Sequence, residues 1–393
     1  MNIIDYCKWR GDLDFKKDPF NYLDNLLIAY MTYVPLDGLL PKNSKISIKD
    51  LAKRYLESGR QVDKNSFVSS SVTVLLEMAK CKRFKDLKVY NYVSILHQES
   101  TEQFAALMLD IDKQKTVVSF RGTDDTLIGW HEDLLLSYKD IKAQVDALNY
   151  VNKNCQAFHK YYFIGHSKGG NLALYAAVHC YPRIQHNLIE VISNDGPGLR
   201  SDSYDLKAYQ RIESKYVKIM PEFDLFGIIY DLNERKIIVS SSAIGIMQHS
   251  ATSWNCLGND FERVEDISKQ SKLFKLGIEN YLKESKVEER EIMIEEIFAS
   301  LKQANINNIT DFSNGGIPVM VKAIKSMSNI DDVAKESANK LIKVFTDAFG
   351  QQIFDTINNT KDKIKIDVKD LSGNIESFIS NKLKEVEARI NND

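Results

Sequence analysis

The sequence predicts an α/β protein: a mostly parallel sheet flanked by helices, followed by an all-helical C-terminal region. Between about residues 100 and 260, short β-rich runs alternate with amphipathic helical patterns. Several of those runs are almost continuously apolar, as strands buried on both faces must be when helices cover the sheet on either side. From about residue 262 onward the chain changes to helical periodicity rich in Lys and Glu.

The elements follow in chain order. Residues 1–100 carry helical patterns at 20–33, 48–57 and 72–80, with Pro35 and Pro41 punctuating the first loop, and are expected to form a helical flank. Strands are expected at 104–109, 116–120, 161–164, 188–193, 216–220 and 236–240. Helices at 142–152 and 170–179 lie between them. The expected division is thus an α/β domain over 1–261 and a helical region over 262–393. The latter is interrupted near 305–308 and 313–318, and long patterns follow at 321–354 and 364–390.

Composition narrows the function classes. The 393 residues are 44% hydrophobic and 27% charged, enough for a substantial core. A net charge of -2 gives no basic field to hold nucleic acid. The five cysteines (Cys7, Cys81, Cys155, Cys180, Cys256) never form a CxxC pair, so they read as reduced core thiols, with neither a disulfide framework nor a zinc site. No Gly-rich phosphate loop and no H-E-x-x-H occurs, and neither cofactor nor metal is called for. No apolar run approaches the roughly 20 residues of a membrane span, and none resembles a leader. The expectation is a chain that is cytoplasmic on synthesis, with secretion by a leaderless route as the alternative.

The strongest chemical signal is Gly165-His166-Ser167-Lys168-Gly169-Gly170, a G-x-S-x-G pentapeptide between a β-rich run and a helix-forming run. A serine on a sharp strand-to-helix turn crowds its neighbours, and glycines two residues to either side make room. Ser167 would project into a site above a helix N-terminus, ready to act as a nucleophile. It would need a histidine base and an acid, in the order Ser, acid, His. Only His179, His186 and His249 follow Ser167, and the first two lie on or just after the helix leaving the turn. His249, in a loop after the last expected strand, is the candidate base.

For the acid, Asp195 and Asp224 each stand just beyond an expected strand. Asp195 precedes Gly-Pro and reads as a turn residue, whereas Asp224 has apolar neighbours that would desolvate it against an imidazole. Asp224 is preferred, and Glu222 ranks third. The oxyanion hole needs two backbone N–H groups: Lys168 supplies one, and Thr123, in Arg121-Gly122-Thr123 after a buried strand, offers its amide and hydroxyl. Arg121 reads as a structural ion-pair partner, with Asp133 as its carboxylate.

Phe120-Arg121-Gly122-Thr123 with Trp130 and Asp133, followed by Gly165-His166-Ser167-Lys168-Gly169-Gly170, resembles the class 3, fungal-type lipases, whose pattern is R-G-T/S, W-x-x-D and G-H-S-L-G-G. The resemblance implies an α/β-hydrolase fold, Ser167 as nucleophile, Asp224 as acid, His249 as base before a tryptophan, and Thr123 in the oxyanion hole. Phe20 to Leu26, the G-H-S-K-G-G form of the elbow and Glu289 to Ile294 resemble an uncharacterised bacterial branch of that superfamily. Lys168 departs from the lipase leucine, and an ammonium beside the nucleophile suggests a phosphate or carboxylate on the ligand. A cation near a helix N-terminus opposes the dipole, so some compensation is expected.

The leading expectation is a serine-dependent carboxylic ester hydrolase acting on lipid acyl esters, phospholipid or glyceride, through an acyl-enzyme. The layout is also similar to leaderless bacterial lipase toxins, whose helical region binds small helper proteins. In that alternative, residues 262–393 would bind small helical partners, and Leu371-Ser372-Gly373 matches a Leu-x-Gly signature found there. The third alternative is a catalytically inactive scaffold that serves as a binding protein.

Overall fold

The computed structural model describes residues 1–41, 44–61, 69–97, 102–124, 127–232, 234–303 and scattered positions between 333 and 344. The chain divides into two units, Met1–Ala348 and Phe349–Asp393, and every described residue lies in the first. The chain breaks expected at 305–308 and 313–318, the pattern at 364–390, the Leu371-Ser372-Gly373 motif and most of 321–354 lie outside the described residues.

Eight strands form the main sheet: β1 (Ile46–Ser47), β2 (Lys88–His97), β3 (Glu102–Asp110), β4 (Lys115–Phe120), β5 (Lys160–His166), β6 (Leu188–Asn194), β7 (Tyr216–Pro221) and β8 (Arg235–Val239). They lie side by side in chain order. The pairs from β1 to β4 are antiparallel, and those from β4 to β8 are parallel. Each parallel step therefore returns the chain to the same end of the sheet, where the C-terminal ends of β4 to β8 collect the loops that can carry chemistry.

The helices described are α1 (Ile3–Arg10), α2 (Tyr22–Met31), α3 (Ile48–Glu57), α4 (Ser69–Lys80), α5 (Leu127–Leu135), α6 (Lys142–Asn154), α7 (Lys168–His179), α8 (Pro182–Asn187), α9 (Leu206–Gln210), α10 (Lys269–Glu284) and α11 (Val287–Gln303). Residues 1–100 are a helical flank only in part, because β2 runs through them and pairs with β3. Its residues are mostly half-buried, so the strand carries no clear apolar alternation.

Strand period sorts the side chains onto two faces. On one face Ile164, Ile192, Val217 and Ile219 join a core with the apolar residues of α1 to α4 and with Trp254. Helix α2 is the centre of that layer, buried from Leu23 to Met31. Asn21 caps it in a reciprocal box with Asp24, and the buried Asp24 carboxylate also pairs with Arg83. Asn25 Nδ2 donates to Asn194 Oδ1 at 3.0 Å, and Asn194 Nδ2 donates to Gly165 O at 3.0 Å, tying α2 to the ends of β6 and β5. On the other face Phe120 and Phe163 meet edge to face at 6.2 Å, and Phe120 meets Tyr150 of α6 at 6.3 Å.

The cysteines are free, with the Cys7 and Cys81 sulfurs 3.4 Å apart. No helix among the described residues is long and apolar enough to cross a membrane.

Candidate active site

Strand β5 ends in the turn that the glycines anticipate. Ser167 adopts φ 57° and ψ -131°, a backbone that side chains rarely tolerate, and α7 starts at the next residue. The neighbours explain why both flanking positions are glycine. A Cβ on Gly165 would lie 2.1 Å from the Gly169 carbonyl carbon, and one on Gly169 would lie 2.2 Å from Phe120 O. The helix thus packs directly on the strand ends, and the Ser167 amide continues the ladder by donating to Asn194 O at 2.8 Å.

His249 reaches this serine from a 3₁₀ turn after β8, with Nε2 3.0 Å from Ser167 Oγ. Its other nitrogen, Nδ1, lies 2.6 Å from Oδ2 of Asp195. That arrangement assigns the tautomer: Nδ1–H donates to the carboxylate and Nε2 accepts from the serine hydroxyl. Burial pushes His249 down to about 4, keeping the imidazole neutral, with Nε2 free to accept from the serine.

The carboxylate at the imidazole is therefore Asp195, where the sequence favoured Asp224. Strand β6 is the immediate neighbour of β5, with Asn194 paired to His166, and Asp195 follows it in a left-handed conformation at φ 54°. Its backbone amide donates to Ile219 O at 2.7 Å, which fixes where its side chain starts. Asp224 lies three residues beyond β7. Its Oδ1 accepts from the amides of Phe226 (2.7 Å) and Gly227 (2.9 Å), while its own amide donates to Ser271 Oγ at 2.9 Å. The turn-capping role expected of Asp195 is filled by Asp224. Glu222 follows β7 directly, and its backbone amide donates to Val239 O.

Gly122 and Thr123 border the serine: a Cβ on Gly122 would lie 3.2 Å from Ser167 Cβ. The Thr123 hydroxyl is committed to Asp133, donating to Oδ2 at 2.6 Å, which leaves the Thr123 amide as its candidate oxyanion donor. Burial pushes Asp133 up to about 6. Asp133 thus takes Thr123, and no Arg121–Asp133 ion pair occurs among the described residues. Trp130 lies in α5, and its side chain is outside the described residues.

The Lys168 ammonium does not face the site, contrary to the expectation of an anion-binding cation beside the nucleophile. It is fully buried, donating to Glu132 Oε2 at 2.6 Å and Gln103 O at 3.1 Å, with Asp133 Oδ1 at 3.8 Å. Glu132 supplies the compensation that a lysine at a helix start requires. Only the Lys168 backbone N–H remains for an oxyanion, at the first residue of α7.

Two supporting residues, Glu132 and Tyr33, carry no motif that would expose them in sequence, and a third, His166, stands in the elbow motif without a role that the motif alone assigns. The buried His166 ring has Nε2 2.9 Å from His249 O and Nδ1 3.0 Å from the Tyr33 hydroxyl, so it clips the His249 backbone to the elbow. Burial holds His166 well below the ordinary imidazole value, and it stays neutral. Trp254 Nε1 donates to Gln248 O at 2.8 Å and Ala251 N donates to the Tyr30 hydroxyl at 2.8 Å, fixing the same loop from the other side.

The Phe226 ring lies 4.1 Å from the His249 ring, and Ile244, Ile246 and Met247 are exposed just before His249 in the chain. A cavity of about 370 Å³ lined in part by Tyr138, Arg200, Asp202, Tyr230 and Arg290 shares no residue with Ser167, His249 or Asp195. No cluster of potential metal ligands occurs among the described residues.

A solved structure titled "Crystal structure of M37 lipase" is similar at 15% identity and a TM-score of 0.34, covering 54% of this chain and 70% of that one. No curated protein matches. Residues 78–299, more than half of the chain and including Ser167, Asp195 and His249, match the Mbeg1-like family. The sheet is α/β-hydrolase-like, and the chain belongs to the Mbeg1-like family.

Proposed function

We propose that this chain is a serine-dependent carboxylic ester hydrolase that works through an acyl-enzyme, with lipid acyl esters such as glycerides or phospholipids as its substrates. The observation that carries the reading is the bridge made by one imidazole, 3.0 Å from Ser167 Oγ and 2.6 Å from Asp195 Oδ2.

His249 Nε2 takes the hydroxyl proton as Ser167 Oγ attacks the ester carbonyl. The backbone N–H groups of Lys168 and Thr123 receive the oxyanion, and Asp195 stabilises the imidazolium. Collapse of the tetrahedral adduct breaks the acyl–oxygen bond, and the imidazolium returns its proton to the departing alcohol. Water then repeats the attack on the acyl-enzyme, with His249 again as base, and Ser167 leaves with its proton restored.

The choice of lipid rests on the apolar character of the approach to the base. Ile244 is 85% exposed, and Ile246 and Met247 are both more than half exposed, just ahead in the chain of a base whose ring lies tilted against Phe226 at 4.1 Å.

A fluorophosphonate probe and short p-nitrophenyl esters test the proposal. Wild type should label at Ser167 and lose labelling on denaturation, and Ser167→Ala should lower kcat by about 10⁴-fold or more. An unlabelled native protein would favour the inactive scaffold, and wild-type turnover by Ser167→Ala would overturn the assignment.

A further inference from the structure

The acid beside His249 has a second carboxyl behind it. Asp195 and Asp224 are 0% and 1% exposed, on the loops after neighbouring strands β6 and β7. Asp195 commits Oδ2 to His249, and Asp224 commits Oδ1 to the amides of Phe226 and Gly227. The two remaining oxygens converge on the Cα of Gly227, where a Cβ would lie 2.8 Å from Asp224 Oδ2 and 2.9 Å from Asp195 Oδ1. Neither oxygen has a hydrogen-bond partner of good geometry, the nearby Gly227 amide being directed at Asp224 Oδ1.

Two ionised carboxylates turned toward each other in a dry interior would repel, and each would hold an unsatisfied charge. One proton between them removes both penalties. Its holder follows from the other bonds. Asp195 must present a full negative charge to the imidazole, so the proton belongs on Asp224 Oδ2, aimed at Asp195 Oδ1. Burial and the Asp195 charge hold Asp224 well above the usual carboxylate range; burial also pushes Asp195 up, to about 7, and the bond from Asp224, the Gly227 amide and the Lys218 charge oppose that rise and favour its ionised form.

We propose that Asp224 is a positioning residue of the site: a carboxylic acid that donates its Oδ2 hydroxyl to Oδ1 of Asp195, so that Asp195 stays ionised with Oδ2 facing His249. This rests on the reading of Ser167, His249 and Asp195 as a hydrolytic centre. The pair then carries a single negative charge through the cycle, and Asp224 orients that charge without itself taking part in proton transfer. Gly227 is required because any side chain there would separate the two carboxyls.

The test compares the full-length Ser167→Ala, Asp195→Asn, Asp224→Asn and Asp224→Leu variants. The readouts are kcat and KM on p-nitrophenyl butyrate and the downfield proton resonance of His249 Nδ1–H. In Asp224→Asn the amide oxygen still accepts from Phe226 and Gly227 while Nδ2–H donates to Asp195, so kcat should stay within about 10-fold of wild type and the resonance should persist. Asp224→Leu leaves Asp195 Oδ1 without a donor, so kcat should fall about 10- to 100-fold with KM little changed, and the resonance should shift or vanish. Asp195→Asn should cost about 10⁴-fold.

If Asp224→Asn is as damaged as Asp195→Asn, Asp224 must be ionised and the proposal fails. Unaltered kcat and resonance in Asp224→Leu would equally overturn it, and if that variant does not fold, the Asp224→Asn result decides. Wild-type activity in Ser167→Ala would instead strike at the hydrolase reading, leaving the resonance to judge the Asp224–Asp195 bond on its own.

Discussion

Replacing Lys168 by methionine should destabilise the fold far more than it slows the chemistry. Its ammonium is 2.6 Å from Glu132 Oε2 and 3.1 Å from Gln103 O, with both members of the ion pair at 0% side-chain exposure. Methionine fills most of the same volume but leaves Glu132 facing Asp133 in the interior without a cation. The Gln103 and Ala143 amides, at 3.2 and 3.4 Å, remain its hydrogen-bond donors. Breaking one side of a buried pair costs about 3–5 kcal/mol. At about 2 °C per kcal/mol for a large domain, Tm should fall by about 6–10 °C.

Urea unfolding followed by circular dichroism gives the free energy, and adding Glu132→Gln to Lys168→Met should recover part of it, since the second change removes the orphaned charge. The folded fraction of Lys168→Met should keep kcat within about 10-fold of wild type, because the proposed oxyanion contact is to the backbone N–H and not to the side chain. A cost below about 1 kcal/mol, the range of an exposed pair, would refute the buried-pair argument. A KM rise confined to anionic esters would mean that the ammonium meets substrate after all.

Further outcomes follow from the geometry of the site. Because burial depresses His249 and turnover needs the neutral ring, activity should be lost as pH falls through the depressed value; the acid midpoint of kcat/KM should lie clearly below about 6.5, and a midpoint at or above that would contradict the burial argument. Gly169→Ala places a Cβ 2.2 Å from Phe120 O and should cost about 1–3 kcal/mol in urea unfolding, together with fluorophosphonate labelling; normal labelling would show that α7 can move aside. Tyr33→Phe removes the hydroxyl from His166 Nδ1 and should cost about 1–3 kcal/mol, with kcat reduced more than KM is altered; an unchanged kcat would mean that His166 does not need that partner to hold the His249 loop.

Six of the eight strands were legible as apolar runs because the sheet is covered on both faces, and the elbow was legible because its glycines answer a steric demand visible in the motif itself. Strand β2 was not, because its half-buried residues carry neither a continuous nor an alternating pattern. Ser167 and His249 could be picked out because few histidines follow the elbow. The choice between Asp195 and Asp224 turned on properties that sequence does not display. Asp195 stands before Gly-Pro and Asp224 among apolar residues, and neither setting tells which of them caps a turn and which faces an imidazole. Strand adjacency and the φ of 54° at Asp195 separate them. The charge of Lys168 was plain, but its direction depended on Glu132, a partner 36 positions away with no motif of its own.

Because β4, β5 and β6 lie side by side, Thr123, Ser167 and Asp195 are carried by one hydrogen-bonded slab about 10 Å across. The imidazole alone arrives from outside it, on a loop pinned by a handful of hydrogen bonds. Failure under mild stress should therefore be mechanical before it is thermodynamic: the arm that delivers the base swings out while the anvil beneath stays whole. Gentle warming should silence turnover at temperatures where far-ultraviolet dichroism still reports an intact sheet, and cooling should bring it back.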